Sequence, residues 1–166
     1  MNTQTLTRSA STKTVSPPSI TLIVAPRERF SYVQPSLDSI YRHTRLPFEL
    51  IYIDVDSPRY LRHYLAQSAA ERNFTLLRTQ RFLSPNQVRN LGLRHATTDY
   101  VLFIDNDMHV SPGWLEQLWQ CAQENDATVV SPLVCVGKPL HERILMAGGE
   151  IKLFLETALV PPGGSA

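Results

Sequence analysis

Two aspartates separated by one residue close an apolar segment in the middle of the chain. The segment YVLFID (100–105) ends at Asp105 and continues into Asn106 and Asp107. If the strand continues, residues i and i+2 point the same way, and two carboxylates ~4 Å apart repel by ~4 kcal/mol at an effective dielectric of ~20. A divalent cation turns this repulsion into attraction, and Mg²⁺ and Mn²⁺ take oxygen ligands while sharing substrate phosphates. The spacing therefore predicts a metal-bound diphosphate; the structural alternative is a strand end followed by an Asx turn at Asn106 and Asp107.

Polar side chains also follow two other apolar segments. Asp54 ends FELIYID, and Pro26, Arg27 and Glu28 follow ITLIVA. Ligands of an open parallel sheet bind outside the carboxyl ends of its strands. We therefore expect these residues and the two aspartates above to share one edge of a sheet.

The elements that must position these groups alternate between strands and helices. Short β-rich apolar runs predict five strands, and helical periodicity follows each of the first four. The predicted strands are 20–25, 48–54, 74–79, 100–105 and 127–136. This alternation is typical of the α/β class, with a Rossmann-like, mostly parallel, open sheet and helices on both faces. The strands read as near-continuous apolar runs, as expected when both faces are covered.

Three predicted helices begin at Ser-Pro pairs. Ser84 starts a capping box with proline at the first helical position. Ser57 and Ser111 are interpreted as caps of the same kind, and Ser31 as the cap of the first helix. The expected inward faces are Val33, Leu37, Ile40 and Tyr41 in the first helix, Leu61, Tyr64 and Leu65 in the second, Val88 and Leu91 in the third, and Leu115, Leu118, Trp119 and Ala122 in the fourth.

Length and composition indicate one soluble domain. The chain has 166 residues, a net charge of +1 and a pI near 7.8, which gives no electrostatic footprint for nucleic acid. It contains no apolar run of the ~20 residues that a membrane span needs. Cys121 and Cys135 lack metal or redox spacing, so we expect buried free thiols and a cytoplasmic location. The expected organisation is a disordered leader (1–19), a single domain (20–156) and a tail (157–166).

Several segments, taken in order, resemble the family 2 glycosyltransferases, which have the GT-A nucleotide-sugar fold. The most specific is SPNQVRNLGLRHATTDYVLFIDNDMHVSPGWLEQL (84–118), which resembles the family pattern ARNxGxxxAxGDYILFLDxDxxxxPxxLE. FELIYIDVDSP resembles EIIVVDDGS, with Val55 and Asp56 in place of the second aspartate and the glycine. ITLIVAPRERF resembles the first strand and its turn without the usual Tyr-Asn, and ERILMAGGEI resembles a stretch of rhamnosyltransferase-like members. The resemblance spans about Ile20 to Ile151.

The resemblance implies transfer of a sugar from a nucleoside-diphosphate sugar to a hydroxyl of a saccharide or lipid-linked acceptor. By it, Asp54 contacts the base, Arg89 lies beside the nucleotide, and Asp107, assisted by Asp105 or Asn106, holds Mg²⁺ or Mn²⁺ on the diphosphate. The segment Pro26–Glu28 is expected to contact the nucleotide. The alternatives are a structural carboxylate at Asp54 and an Arg89 that is solvated on its helix or pairs with Asp54.

The general base that an inverting transfer needs is not evident in the sequence. In the family it follows the aspartate motif, whereas the late carboxylates here (Glu142, Glu150 and Glu156) lie in no recognised motif. We therefore expect the nucleotide-binding half of a longer or truncated enzyme. A non-catalytic nucleotide-sugar-binding domain is the second hypothesis. Another Mg²⁺-dependent phosphoryl-transfer enzyme is the third, and the absence of a GxxxxGK[ST] loop disfavours its P-loop form. A polysaccharide or lipid acceptor would place the protein at the inner face of a membrane.

Overall fold

Four parallel strands form the central sheet of the protein. The computed structural model describes residues 18–27, 30–137, 143–151 and 157–159, with backbone only at 149–151 and 157–159. The strands are β1 (Ile20–Ala25), β2 (Glu49–Val55), β3 (Thr75–Thr79) and β4 (Tyr100–Asp105), in the spatial order β3-β2-β1-β4. The prediction of a mostly parallel α/β sheet is confirmed, and its first four strands agree with the structure to within one residue at each end.

Helices cover both faces of this sheet. They are α1 (Val33–His43), which follows a 3₁₀ turn at Phe30–Tyr32, α2 (Arg59–Arg72), α3 (Pro85–Leu93) and α4 (Trp114–Glu124). On one face α1, α2 and α4 bury Leu37, Leu65 and Leu115 against the sheet. On the other face α3 buries Val88 against Ile23, Ile51 and Ile53. Right-handed crossovers place α1 and α2 on one face and α3 on the other, because the chain moves outward from β1 to β3 and then returns across the sheet to β4.

The strand order reverses between β1 and β4. Strands β2 and β3 lie on one side of β1, and β4 lies on the other. In open α/β sheets, ligands bind at such a reversal, outside the carboxyl ends of the two strands. We call this place the switch-point crevice; it lies between the segments Ala25–Arg27 and Asp105–Asp107.

Helix α3 packs closely on the sheet at Gly92. A Cβ atom built on Gly92 would lie 2.5 Å from Ile23 Cγ2, 3.1 Å from Ile23 Cδ1 and 3.2 Å from Ile53 Cδ1. Ile23 is completely buried in β1. Only glycine therefore lets α3 approach the sheet at this distance.

The prediction of a fifth strand in the parallel sheet is wrong. Instead β5 (Val134–Val136) pairs antiparallel with β6 (Arg143–Met146), and β7 (Gly149–Ile151) pairs with β8 (Thr157–Leu159). Pro132 lacks the N–H that a central strand must donate, and Val129 is 70% exposed. Residues 127–133 are therefore not a strand.

Only one of the four predicted serine caps is observed. Ser84 accepts the N–H of Gln87, and Gln87 returns a side-chain bond to Ser84, which confirms the capping box. The other three helices have no side-chain cap, and their N-cap residues are Tyr32, Pro58 and Gly113 rather than serines. The 3₁₀ turn before α1 and a turn at Gly113, with φ 73°, replace two of the expected caps.

Most of the predicted helix faces are confirmed, and the prediction of buried cysteines is wrong. The predicted inward residues of α1 and α2 lie in or against the core, as do Val88, Leu91, Leu115 and Ala122. Leu118 and Trp119 are half-buried, and the Trp119 ring packs against Tyr100. Both cysteines are free thiols; Cys121 is exposed on α4 and Cys135 is half-buried. Within the described ranges, the helices are too short or too polar to cross a bilayer.

Candidate functional site at the sheet's switch point

Asn106 joins the two walls of the switch-point crevice. Its backbone N–H donates to the carbonyl of Ala25 at 2.9 Å, which continues the ladder between β1 and β4. Its side-chain Oδ1 accepts the backbone N–H of Arg27 at 2.7 Å. Asn106 is only 2% exposed. The middle residue of the aspartate motif therefore fixes the backbone of the first turn, 79 residues earlier in the chain.

Asp105 lies between two guanidinium groups. Its Oδ2 accepts from Nη1 of Arg27 at 3.1 Å, and its Oδ1 lies 3.6 Å from Nη2 of Arg89. The side chains are 65% exposed for Arg27, 34% for Arg89 and 22% for Asp105. These three residues were all predicted at the site from the sequence, and the structure brings them together.

Asp107 is half-buried in the turn that follows β4. The N–H of Met108 donates to the carbonyl of Asp105 at 3.2 Å, which makes this a backbone turn. The side chain of Asn106 bonds the Arg27 backbone and not this turn, so the structural alternative of an Asx turn does not hold at Asn106. The carbonyl of Met108 accepts the Ser36 hydroxyl at 2.7 Å, so α1 holds the turn in place.

Asp54 is buried at the end of β2, with 1% of its surface exposed. Its Oδ1 accepts the N–H of Ser57 at 3.1 Å, and its Oδ2 accepts Nε of Arg78 at 2.8 Å. Arg78 also donates from Nη2 to the carbonyl of Arg62 at 3.2 Å. This geometry favours the structural alternative for Asp54, and contact with a nucleotide base stays a prediction.

Sequence reasoning missed Arg78. The expected alternative, an ion pair between Asp54 and Arg89, is wrong, because Arg89 lies beside Asp105 instead. Arg78 stands directly opposite Asp54 in the register of β2 and β3. A basic residue in the strand after Asp54 was visible in the sequence, but its pairing required that register.

Asp54 and Asp105 lie at the same end of the sheet and point to opposite faces. Val24 pairs with Tyr52 and Ala25 pairs with Asp105, so Asp54 lies one residue farther out than Asp105. Strands β2 and β4 flank β1, which separates the two by about 10 Å. Since side chains alternate along a strand, Asp54 shares the face of Tyr52, on which α2 packs, and Asp105 shares the face of α3.

Tyr52 lies under this edge of the sheet and does not suit acid–base chemistry. Burial raises the pKa of its hydroxyl well above the ordinary value. The Asn106 side chain offsets part of that rise, and the negative charge of Asp54 adds to it. Tyr52 therefore stays protonated and neutral at physiological pH.

Comparison with known proteins identifies the family. The family model described as glycosyl transferase family 2 matches residues 21–152, which is most of the chain. The chain belongs to glycosyl transferase family 2.

Solved structures show that this family 2 chain has the GT-A fold. The mannosyltransferase PcManGT from Pyrobaculum calidifontis, in complex with GDP-Man and Mn²⁺, is 23% identical with a TM-score of 0.60, covering 75% of this chain and 37% of that one. TarS 1-349 from S. aureus in complex with UDP-GlcNAc is 21% identical with a TM-score of 0.56, covering 65% and 32%.

Two curated proteins are similar over shorter parts of their sequences. Polypeptide N-acetylgalactosaminyltransferase 15 of Mus musculus is 37% identical over 76 residues, which is 46% of this chain and 11% of the relative. The O-antigen biosynthesis protein RfbC of Myxococcus xanthus is 26% identical over 115 residues, which is 68% of this chain and 9% of the relative. The chain spans about a tenth of the length of these relatives.

The position after β2 where the family pattern has glycine adopts a left-handed backbone conformation in this chain. Asp56 stands where the family pattern has glycine, and its φ is 47°, in the left-handed region. Its N–H donates to the carbonyl of Thr79 at 3.0 Å, which holds the turn in this conformation. Aspartate tolerates this region better than most residues, which explains how the glycine is replaced here.

The carboxylates of the aspartate motif suit a hard cation that a diphosphate helps to bind. Asp105 and Asp107 offer oxygen ligands of the kind that Mg²⁺ and Mn²⁺ prefer. Among the described residues, no three His, Cys, Asp or Glu side chains form a group that could hold a metal alone. A metal held by these two carboxylates would need further ligands, such as phosphate oxygens and water.

The remaining predicted residues lie at the edge of the site or beyond the described part. Pro26 is half-buried directly after β1, beside the Arg27 backbone that Asn106 fixes. Glu28, Glu142 and Glu156 lie outside the described residues, as does the side chain of Glu150.

Proposed function

We propose that this domain binds a nucleoside-diphosphate sugar in the switch-point crevice and transfers the sugar to an acceptor hydroxyl. The observation that carries the proposal is the pair of Asn106 bonds, to Ala25 and Arg27, which sets the aspartate motif beside the first turn. Family membership over residues 21–152 supports glycosyl transfer. Similar structures with bound GDP-Man or UDP-GlcNAc support the class of donor.

In this proposal, different residues of the crevice bind different parts of the donor. Arg27 and Arg89 present guanidinium N–H donors to the diphosphate, and guanidinium groups bind phosphate through two parallel bonds. The Pro26–Glu28 segment and Asp54 contact the nucleoside in this proposal, which requires Asp54 to become accessible when the nucleotide enters. Asn106 keeps the two walls at a fixed separation.

Asp107 is the principal metal ligand in this proposal, with Asp105 as the second carboxylate of the motif. The neighbours PcManGT and GalNAc-T7 are structures that contain Mn²⁺, which supports a divalent metal. When bound, Mg²⁺ or Mn²⁺ would neutralise negative charge on the diphosphate as it leaves. The acceptor that we propose is a saccharide or a lipid-linked saccharide, and a lipid-linked acceptor would bring the domain to the inner face of a membrane.

Binding of the nucleotide sugar without transfer is the second candidate function. No carboxylate of the described part is assigned as the general base that an inverting transfer needs, and this favours binding without transfer. The two candidates differ in turnover and share the binding step.

Titration of the chain with UDP, GDP and dTDP and their sugars, with and without Mn²⁺, tests the shared binding step. We expect binding of at least one nucleotide to strengthen with Mn²⁺, and Asp107→Asn or Asp107→Ala to remove that gain. Asp99→Asn is the matched control, because it removes one exposed carboxylate at the opposite end of β4. A nucleotide affinity that changes neither with Mn²⁺ nor with the Asp107 substitution would refute the proposed site.

Donor turnover then separates the two candidates. Release of free nucleoside diphosphate with an acceptor saccharide, and its loss in Asp107→Asn, would establish transfer. Metal-dependent binding with no turnover by this chain, alone or with a C-terminal extension, would favour the binding domain.

A further inference from the structure

We infer that the edge of the domain formed by the start of α2 and the end of β3 docks on an anionic lipid surface. We call this surface the basic edge, and it comprises the side chains of Arg59, Tyr60, Arg62, Arg78, Arg81 and Phe82. The inference rests on the proposed function in one respect, because a lipid-linked acceptor gives the docking its purpose.

Arginines from two elements meet at the basic edge. An open groove of about 390 Å³ is lined by Arg59, Arg62 and His63 of α2 and by Arg78 of β3. The Arg78 guanidinium donates from Nη2 to the carbonyl of Arg62 at 3.2 Å, which joins β3 to α2 across the groove. The fold itself therefore brings these cationic groups together.

The described residues of this edge carry a surplus of positive charge. Four arginines stand against two carboxylates, the Asp54 that pairs with Arg78 and the exposed Asp56, which leaves a net charge of +2. The first turn of α2 contains no acidic residue. Since the whole chain has a net charge of only +1, its positive charge is concentrated here. Each arginine brought near an anionic bilayer strengthens binding about fivefold.

Two aromatic side chains lie among these arginines and are strongly exposed. Phe82 is 88% exposed and Tyr60 is 65% exposed. Each ring directly follows an arginine in the sequence, Tyr60 after Arg59 and Phe82 after Arg81. Aromatic residues are enriched where proteins meet the headgroup region of a bilayer, and basic residues are attracted to its anionic lipids. The repeated combination favours a lipid surface over a soluble anion, which needs no apolar contact.

The basic edge lies at the same end of the sheet as the switch-point crevice. Tyr60 follows the carboxyl end of β2, and Phe82 follows that of β3. The N–H of Asp56 donates to the carbonyl of Thr79 at 3.0 Å, which joins the two segments. Only β2 separates β3 from β1, so about 10 Å of sheet lies between this edge and the crevice. An acceptor whose lipid stays in the bilayer can therefore present its saccharide to the crevice.

Co-sedimentation of the full chain with lipid vesicles, without nucleotide, tests the docking. One set of vesicles contains phosphatidylcholine alone, and the other contains phosphatidylglycerol as well. We expect the chain to bind only the vesicles with phosphatidylglycerol, and high salt to release it. The double variant Arg59→Gln, Arg62→Gln should weaken binding about tenfold or more. Tyr60→Ser and Phe82→Ser should each weaken it about fivefold, because they remove apolar contact at unchanged charge.

The matched controls are Arg42→Gln for the charge and Val129→Ser for the apolar surface. Arg42 is exposed in the last turn of α1, at the opposite end of the sheet, and Val129 is 70% exposed outside the main sheet. Neither substitution should change vesicle binding. Arg78 stays unaltered because it pairs with the buried Asp54. Thermal denaturation shows that each variant is folded before it is tested.

Any of four outcomes would overturn the inference. The unaltered chain could bind both kinds of vesicle equally or bind neither. The arginine variant could lose binding while both aromatic variants keep it. A soluble oligothymidylate could bind as tightly as the vesicles through the same two arginines, which would assign the edge to soluble polyanions. Finally, Tyr60→Ser or Phe82→Ser could lose nucleotide affinity, which would assign that ring to the donor site.

The proposed function fails by a different measurement. Absence of nucleotide binding by the unaltered chain would contradict donor binding in the crevice. Vesicle binding requires no nucleotide, so its result is read independently of that failure.

Discussion

The carboxylate of Asp54 and the guanidinium of Arg78 form a 2.8 Å ion pair across directly paired positions of β2 and β3. The carboxylate side chain has no exposed surface, whereas 38% of the arginine side chain is exposed. The pair therefore joins the interior of the sheet to its surface at the edge where the nucleotide is proposed to bind.

Replacing Arg78 by leucine should lower the free energy of unfolding by about 2–3 kcal/mol, because it leaves a buried carboxylate without its charged partner. The partial exposure of Arg78 keeps this value below that of a fully buried pair. Urea denaturation at neutral pH measures the change. Arg59→Leu, an exposed arginine at the start of α2, should change stability by no more than about 0.5 kcal/mol. Equal effects of the two substitutions would show that the pair contributes nothing.

Gly92→Ala should destabilise the fold by about 1–3 kcal/mol despite the better helix propensity of alanine. The new Cβ would meet Ile23 Cγ2 at 2.5 Å, and this methyl group is attached directly to the Cβ of a buried strand residue. Thermal or urea denaturation measures the loss. Combining Gly92→Ala with Ile23→Ala should cost less than the sum of the single changes, because the second removes the obstacle. Leu93→Ala, at an exposed position of the same helix, is the control for a change on α3 without a clash.

Glu116→Gln should destabilise the protein by about 1 kcal/mol at pH 7 and by progressively less as the pH falls below about 4.5. Burial raises the pKa of the Glu116 carboxyl, and hydrogen bonds from the backbone N–H groups of Glu116, Arg45 and Leu46 lower it. The lowering is the larger in sum, so the folded pKa is below the ordinary 4.5. A carboxyl whose folded pKa is depressed adds stability above its unfolded pKa, and that stability is lost as the pH falls through the folded pKa.

Urea denaturation of both proteins at several pH values between 3 and 7 measures this convergence. Glu49→Gln removes an exposed carboxylate at the start of β2 and should give a small difference that depends little on pH. A Glu116→Gln difference that stays constant down to pH 3 would contradict the role of the charge.

The features that depend on neighbouring residues could be predicted from the sequence. The four strands of the main sheet and the Ser84 capping box have signals that lie within each element. The resemblance named Asp105 and Arg89 as residues of one site, and the structure brings them together. Local patterns are informative here because the strands of a parallel sheet that is covered on both faces are near-continuous apolar runs.

The features that depend on the pairing of distant residues could not be predicted from the sequence. Arg78 is the partner of Asp54 only because β2 and β3 pair in one register, and the sequence does not state that register. Ser57 resembled a helix cap, yet its N–H is taken by Asp54 and its helix begins without a side-chain cap. The apolar run before Val134 resembled a core strand, but that segment does not pair with the main sheet.

The Arg27–Asn106 bond also has a consequence for how the protein acquires its site during synthesis. It joins residues that are 79 positions apart, and β4 is the last strand of the main sheet to leave the ribosome. Contacts between such distant residues form late, since the intervening chain must lose its freedom first. A nascent chain that ends before Tyr100 would have one wall of the crevice and would lack the proposed diphosphate site, so binding at that site would require about two-thirds of this sequence to have emerged.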